Sequence, residues 1–242
     1  MQHVLVTSGS GHPGREIVAA LLADGCLVSV LDRQAPPPWW GGATDMWHVC
    51  AASPSQGELV AIVDAAERFA PLTGLVVVPE AAERTASILE LEGSALERAF
   101  AVAVAGAADL CAAYSRTKVR TATPGSIVLL SSIAAGGYSA REGLNGHVIA
   151  SAIAGLSRSM AGDLARYGIR VNTVAVGDGP GARIPAAREV NHADVAATVA
   201  WLVSPRASLT TGHVLPVDGG ETSLAVPPVG GFALVLALEG EQ

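Results

Sequence analysis

The chain contains a single lysine, Lys118, and no cluster of basic residues. Its formal net charge is −7, so it lacks the positive patch that nucleic-acid binding needs, and no nucleic-acid partner is expected. Charge is scarce altogether, at 15% of 242 residues, while half are hydrophobic. That is rich for a soluble monomer and predicts apolar surface covered in an oligomer. Cysteine is sparse too. Cys26, Cys50 and Cys111 have no metal-ligand spacing and are expected to pack in the core of a protein from a reducing cytoplasm; no metal site is expected. The apolar run FALVLAL near the end is too short to span a bilayer, so no membrane partner is expected. The opening HVLVTSGS reads as a strand, and no signal peptide is expected.

What the chain does contain is a steady alternation of two patterns. HVLVTS, CLVSVLD, LTGLVVVPE, GSIVLLSS, IRVNTVAVG and GHVLPVDGG are apolar, β-branched strands. Between them lie the helical stretches GREIVAALLADG, ELVAIVDAAERFA, SALERAFAVAVAGAADLCAAYSRT, the Ala-rich run through LSRSMAGDLARYG, and NHADVAATVAWLVS. Such alternation means an α/β fold with a parallel sheet covered on both faces. RQAPPPWWGGATD is an irregular loop whose Trp39 and Trp40 read either as a contact patch or as aromatics folded onto the domain.

The first turn, TSGSGHPGRE, joins strand to helix through Gly9, Gly11 and Gly14. Glycines there let backbone N–H groups approach a dinucleotide pyrophosphate at a helix N-terminus. Asp32 ends the second strand, where an acid can accept from a ribose diol. With LARYGIRVNTVAVG, TTGHVLPVDGG and NHADVAATVAWLVS, the chain resembles the short-chain dehydrogenase/reductase family from residue 3 to about residue 223. The resemblance implies a Rossmann-like, doubly wound parallel sheet of seven strands in a single domain, residues 1–223. Residues 224–242 are then an apolar tail expected to touch a neighbouring subunit.

The family's cofactor turn reads T-G-x-x-x-G-x-G. Thr7 and Gly14 match it, while Ser8 and His12 replace two glycines and Pro13 removes an N–H. The family's Asn-Asn-Ala-Gly becomes Val77, Val78, Pro79 and Glu80, and its acid after the third strand is missing around Cys50 and Ala51. Thr7, Gly9, Gly11, Gly14 and Asp32 are therefore a vestigial cofactor set. The expectation is no bound NAD, or weak NAD; the sequence leaves open whether the pocket is empty, functional or filled by His12, Pro13, Val77 and Val78. The family's catalytic Asn, Tyr and Lys fall on Ala103, Gly146 and Ala150, and only Ser132 of that tetrad survives. Gly and Ala cannot move protons. A register shift of one residue offers only His147 and Ser151. The stretch DGPGARIPAA is also too short for the family's substrate lid.

Three functional parts are thus altered inside an intact core pattern. The resulting expectation is a catalytically inactive subunit that pairs, as a heterodimer or heterotetramer, with an active paralogue of the same family. That partner would carry NAD and act on a 3-hydroxyacyl thioester or a related hydroxyl/ketone pair. The family pairs its long helix and the following one across subunits. Here these are residues 94–115 and 147–167, which carry small residues nearly all round. A homo-oligomer is the other assembly that these helices allow. Two alternatives stand beside it: non-redox chemistry by Ser132 and His147 as cyclase, lyase or isomerase, and a weak NAD(H)-binding regulator.

Overall fold

The computed structural model describes residues 1–34, 46–51, 54–79, 88–137, 139, 142–177, 184–186 and 188–224. Seven strands form one parallel sheet: β1 His3–Thr7, β2 Leu27–Asp32, β3 Met46–Cys50, β4 Gly74–Val77, β5 Gly125–Ser132, β6 Ile169–Val176 and β7 Val214–Val217. Their order across the sheet is β3-β2-β1-β4-β5-β6-β7. The chain winds one way from β1 and then returns to the other side of it, so the strand order reverses between β1 and β4. In such sheets ligands settle outside the carboxyl ends of the strands at that reversal.

Each face of the sheet carries its own core. On one, α1 (Gly14–Ala23) and α6 (His192–Val203) pack Ile17, Val18, Leu21, Val195 and Val199 against Val4, Val6, Val28 and Val30. The other face holds α2 (Gln56–Phe69), α4 (Gly106–Thr121) and α5 (Gly143–Leu164) over Leu5, Leu75, Ile127, Leu129 and Val171. These strands alternate between two apolar layers, which is why they read as continuous hydrophobic runs. α3 (Gly93–Phe100) runs through a π-helical turn at Ala101–Ala105 straight into α4. No helix among the described residues is long and apolar enough to cross a membrane.

Helix boundaries follow local chemistry. α1 is amphipathic, and the chain leaves it through Gly25 at φ +74°, a left-handed conformation that favours glycine. α2 and α6 both start with capping boxes, Ser55 with Glu58 and Asn191 with Asp194. Arg188 adds two hydrogen bonds to Asp194, at 2.7 and 2.8 Å. Its guanidinium first, then the Asn191 N–H, hold the Asp194 carboxyl down at about 2.

Two expectations need correction. β3 is not visible as a strand in the hydrophobic pattern, because MWHVC is a half-exposed edge strand without a buried face. Cys50, at its end, is exposed rather than packed in the core, and its Sγ–H donates to the Arg33 carbonyl at 3.2 Å. Cys26 and Cys111 are buried as expected, and burial pushes the Cys111 thiol up to about 12. Trp39, Trp40 and residues 225–242 of the apolar tail lie outside the described residues, as does most of DGPGARIPAA.

Candidate functional site

A cavity of about 440 Å³ opens at the carboxyl ends of β1, β2 and β4, where the strand order reverses. Thr7, Asp32, Val77, Val78, Ala103 and Asp109 are among the residues that line it. The volume falls in the ordinary range for small-molecule sites. Val77 and Val78 form part of its wall rather than filling it, and His12 is turned elsewhere. Of the outcomes that the sequence left open, side chains filling the pocket does not hold for this end of the site.

The turn after β1 has adapted to its unusual sequence. Ser8 holds φ +51°, the left-handed region for which the family uses glycine. A Cβ on Gly14 would lie 2.2 Å from the Ser8 carbonyl oxygen, so that position tolerates nothing larger than glycine. One on Gly9 would press on Val30 at 2.8 Å, whereas Gly11 has open space around it. Thr7 clamps β1 to the chain after β4: its Oγ1 accepts from the Val78 N–H at 2.8 Å and its hydroxyl donates to the Val78 carbonyl at 3.1 Å. The backbone of Val78 is thus held where the family places an asparagine.

Asp32 is buried and heavily used. Its Oδ2 accepts from the Ser10 N–H at 2.9 Å and the Ser10 hydroxyl at 2.6 Å, and its Oδ1 from the Gln34 N–H at 3.1 Å. Burial pushes the carboxyl pKa up, but these hydrogen bonds, led by Ser10, outweigh it and leave the group below its ordinary range. The carboxylate stays charged at neutral pH. The Arg33 backbone N–H is a further donor, so the roughly four acceptor positions of the carboxylate are taken up by the turn and the end of β2. The cavity and the Asp32 carboxylate thus lie at the strand-order reversal, where the adenosine half of a dinucleotide would sit, but a ribose hydroxyl would have to displace one of the donors that Asp32 already has.

The residues present do not fit the reactive half. Ala103 is buried in the π-helical turn. Gly146 and Ala150 stand on α5; a Cβ at 146 would lie 2.8 Å from Glu142 Cβ, and Ala150 is buried, with its carbonyl accepting from Ser131 at 3.3 Å. Ser132 caps a short 3₁₀ turn, its Oγ accepting from the Ala134 N–H at 3.2 Å. His147 is occupied on both ring nitrogens: Nδ1–H donates to the Gly143 carbonyl at 2.6 Å, and Nε2 accepts from the Ser139 N–H at 2.9 Å. That arrangement fixes the loop before α5 and disfavours an acid/base pair with Ser132. Lys118, the lone lysine, is buried far from this chemistry; its ammonium donates to the Leu72 carbonyl and lies 3.6 Å from Glu67.

The sequence reading missed one grouping. His12 Nδ1 lies 2.7 Å from Glu16 Oε1, and the His12 ring stacks on that of His192 with centroids 4.9 Å apart. The packing of α1 on α6 brings them together across most of the chain, so no local spacing signals them.

Comparison with known proteins now places the chain. The family profile described as short chain dehydrogenase matches residues 2–180, and one described as enoyl-(acyl carrier protein) reductase matches residues 178–222. The chain belongs to the short-chain dehydrogenase/reductase family, a family of oxidoreductases. It is 33% identical over 185 residues to cis-4-hydroxycyclohexanecarboxylate dehydrogenase of Sinomonas cyclohexanicum, covering 70% of this chain and 74% of that one. It is 28% identical to 2-(S)-hydroxypropyl-CoM dehydrogenase 3 of Xanthobacter autotrophicus over 91% of this chain and 96% of the relative. A short-chain type dehydrogenase/reductase from Mycobacterium ulcerans superposes with a TM-score of 0.82 at 27% identity, over 99% of this chain and 96% of that one. A Leptospira borgpetersenii short chain dehydrogenase solved with bound NAD+ shares the fold, with a TM-score of 0.83 at 23% identity, over 91% of this chain and 92% of that one.

Proposed function

We propose that this chain is a non-catalytic subunit that assembles with a catalytically complete short-chain dehydrogenase/reductase and stabilises it. The observation that carries the reading is the inert set Ala103, Gly146 and Ala150, on the two helices that the family uses for assembly, beside an uncovered apolar surface on those same helices. Phe100, Val102, Val119 and Val148 are each between 39% and 53% exposed there. Apolar surface of this kind is stabilised when a partner covers it. The partner carries NAD and oxidises a hydroxyl group, of a 3-hydroxyacyl thioester or a related substrate. That fits relatives that are dehydrogenases of hydroxylated compounds.

Native mass spectrometry of the chain, tagged at its own gene and purified from its source, tests this reading. A second chain of the same family at one-to-one stoichiometry is the expected result. A pure homo-oligomer overturns it. The open 440 Å³ cavity and the charged Asp32 favour a second reading, a regulator that binds NAD(H) weakly. Calorimetric titration with NAD+ decides that one, since absence of heat at millimolar ligand removes it.

A further inference from the structure

His12, Glu16 and His192 each offer a ligand atom, and these atoms all lie within 4.8 Å of one another. We propose that they form a site for a divalent transition-metal ion of the zinc class, bridging the N-termini of α1 and α6. The inference is independent of the proposed subunit role.

Three observations converge on it. First, two imidazoles and one carboxylate are the donor set that borderline ions such as zinc prefer over calcium or magnesium. Second, the set is prearranged. Glu16 follows His12 by one helical turn and meets it at 2.7 Å, while the Asn191–Asp194 capping box and Arg188 fix the first residue of α6, which is His192. Third, Glu16 Oε2 is shut off from water and has no hydrogen-bond partner. A buried carboxylate oxygen without a donor is costly, and a cation beside it removes that cost.

The distances are close to what an ion needs. Metal bonds of about 2.0–2.1 Å put tetrahedral donors roughly 3.3 Å apart. Drawing the present atoms to that spacing requires the side chains to turn, including the stacked rings of His12 and His192, both of which are exposed. The fields of two helix N-termini oppose a cation. The Glu16 charge in direct contact is the larger effect at that distance. Three protein donors leave a fourth coordination position, open to water or to an anionic oxygen. The site includes the turn residue that replaces a glycine in the family's phosphate-binding turn, which accounts for a histidine where the family pattern excludes side chains.

The test uses the full chain, free of any histidine tag, with zinc and cobalt(II) as probes. Equilibrium dialysis against zinc should give one ion per chain, and cobalt(II) should give visible ligand-field bands. His192→Ala and Glu16→Gln should each lower zinc affinity at least about tenfold, the loss seen even for groups that only support metal ligands. His213→Ala, which removes an exposed histidine elsewhere, should leave binding unchanged. Circular dichroism checks that each variant is folded, and these surface changes are not expected to unfold it. Should the wild type bind no zinc, or should the His192 and Glu16 variants bind it as well as wild type, the proposal is overturned and the cluster is a packing contact between α1 and α6.

Discussion

Replacing Ser10 by alanine should weaken the fold and strengthen adenosine binding at the same time. In the wild type, Ser10 supplies two of the hydrogen bonds to the Asp32 carboxylate, beside those of the Gln34 and Arg33 N–H groups, and alanine removes the 2.6 Å hydroxyl bond while keeping the backbone one. Hydrogen bonds to charged groups contribute about 1.5–3 kcal/mol, and the surviving donors place the loss at the low end, about 1.5 kcal/mol. The pH dependence has a definite sign. The folded-state pKa of Asp32 lies below its ordinary 3.8, so its hydrogen-bonded stabilisation is complete above 3.8 and is lost as pH falls through the folded value. Urea unfolding followed by tryptophan fluorescence should therefore show the full deficit at neutral pH. The gap to wild type should narrow only once the medium is acid enough to protonate the carboxylate in both folded and unfolded chains. The vacated Oδ2 position becomes available to a ribose hydroxyl. Affinity for adenosine 5′-monophosphate, read by calorimetry, should rise by up to about tenfold, equivalent to about 1.4 kcal/mol. A variant as stable as wild type at neutral pH, or one that binds the nucleotide more weakly, would refute the assignment of Asp32 as a carboxylate shared between the turn and a ribose.

Three other outcomes follow from the same geometry. Gly14→Ala should destabilise the chain by about 2–4 kcal/mol in urea melts, because its Cβ meets backbone 2.2 Å away and the turn cannot relax as a flexible side chain would. Lys118→Ala should cost about 3–5 kcal/mol, since it leaves the buried Leu72 carbonyl and the nearby Glu67 without their cation, while Lys118→Met should cost less by keeping the volume filled; an alanine variant with an unchanged urea midpoint would contradict this. Under the proposed subunit role, Val102→Glu combined with Val148→Glu should abolish co-purification of the proposed partner yet leave the thermal melt within a few degrees of wild type, because both side chains are exposed in the single chain. Loss of folding instead would show that these residues belong to the core.

Much of the fold was legible without coordinates. Strands such as GSIVLLSS and IRVNTVAV are apolar on both sides because the sheet is covered on both faces, and they read as strands for that reason. The helix stop at Gly25 and the capping box at Asn191 are local chemistry, and local chemistry is visible in sequence. β3 was not legible as a strand, since an edge strand with half-exposed residues on both sides carries no period of two. Its end also carries the exposed Cys50, which composition alone assigned to the core.

The site divides along the same line. Sequence alone determined what the positions matched to the family's catalytic residues carry: Ala103, Gly146 and Ala150 supply neither a phenol nor an amine, because side-chain identity is covalent. It also determined that Asp32 ends the second strand and that Gly14 opens the first helix. Only the tertiary structure decided whether the pocket is open, because volume depends on where backbone and side chains turn: Val77 and Val78 form wall, and His12 leaves the cavity for Glu16. Tertiary structure also decided how His147 is used, through two short contacts to backbone that no spacing announces. The meeting of His12, Glu16 and His192 is of that second kind. It arises because α1 and α6 pack side by side on one face of a sheet, bringing together residues that lie at opposite ends of the chain.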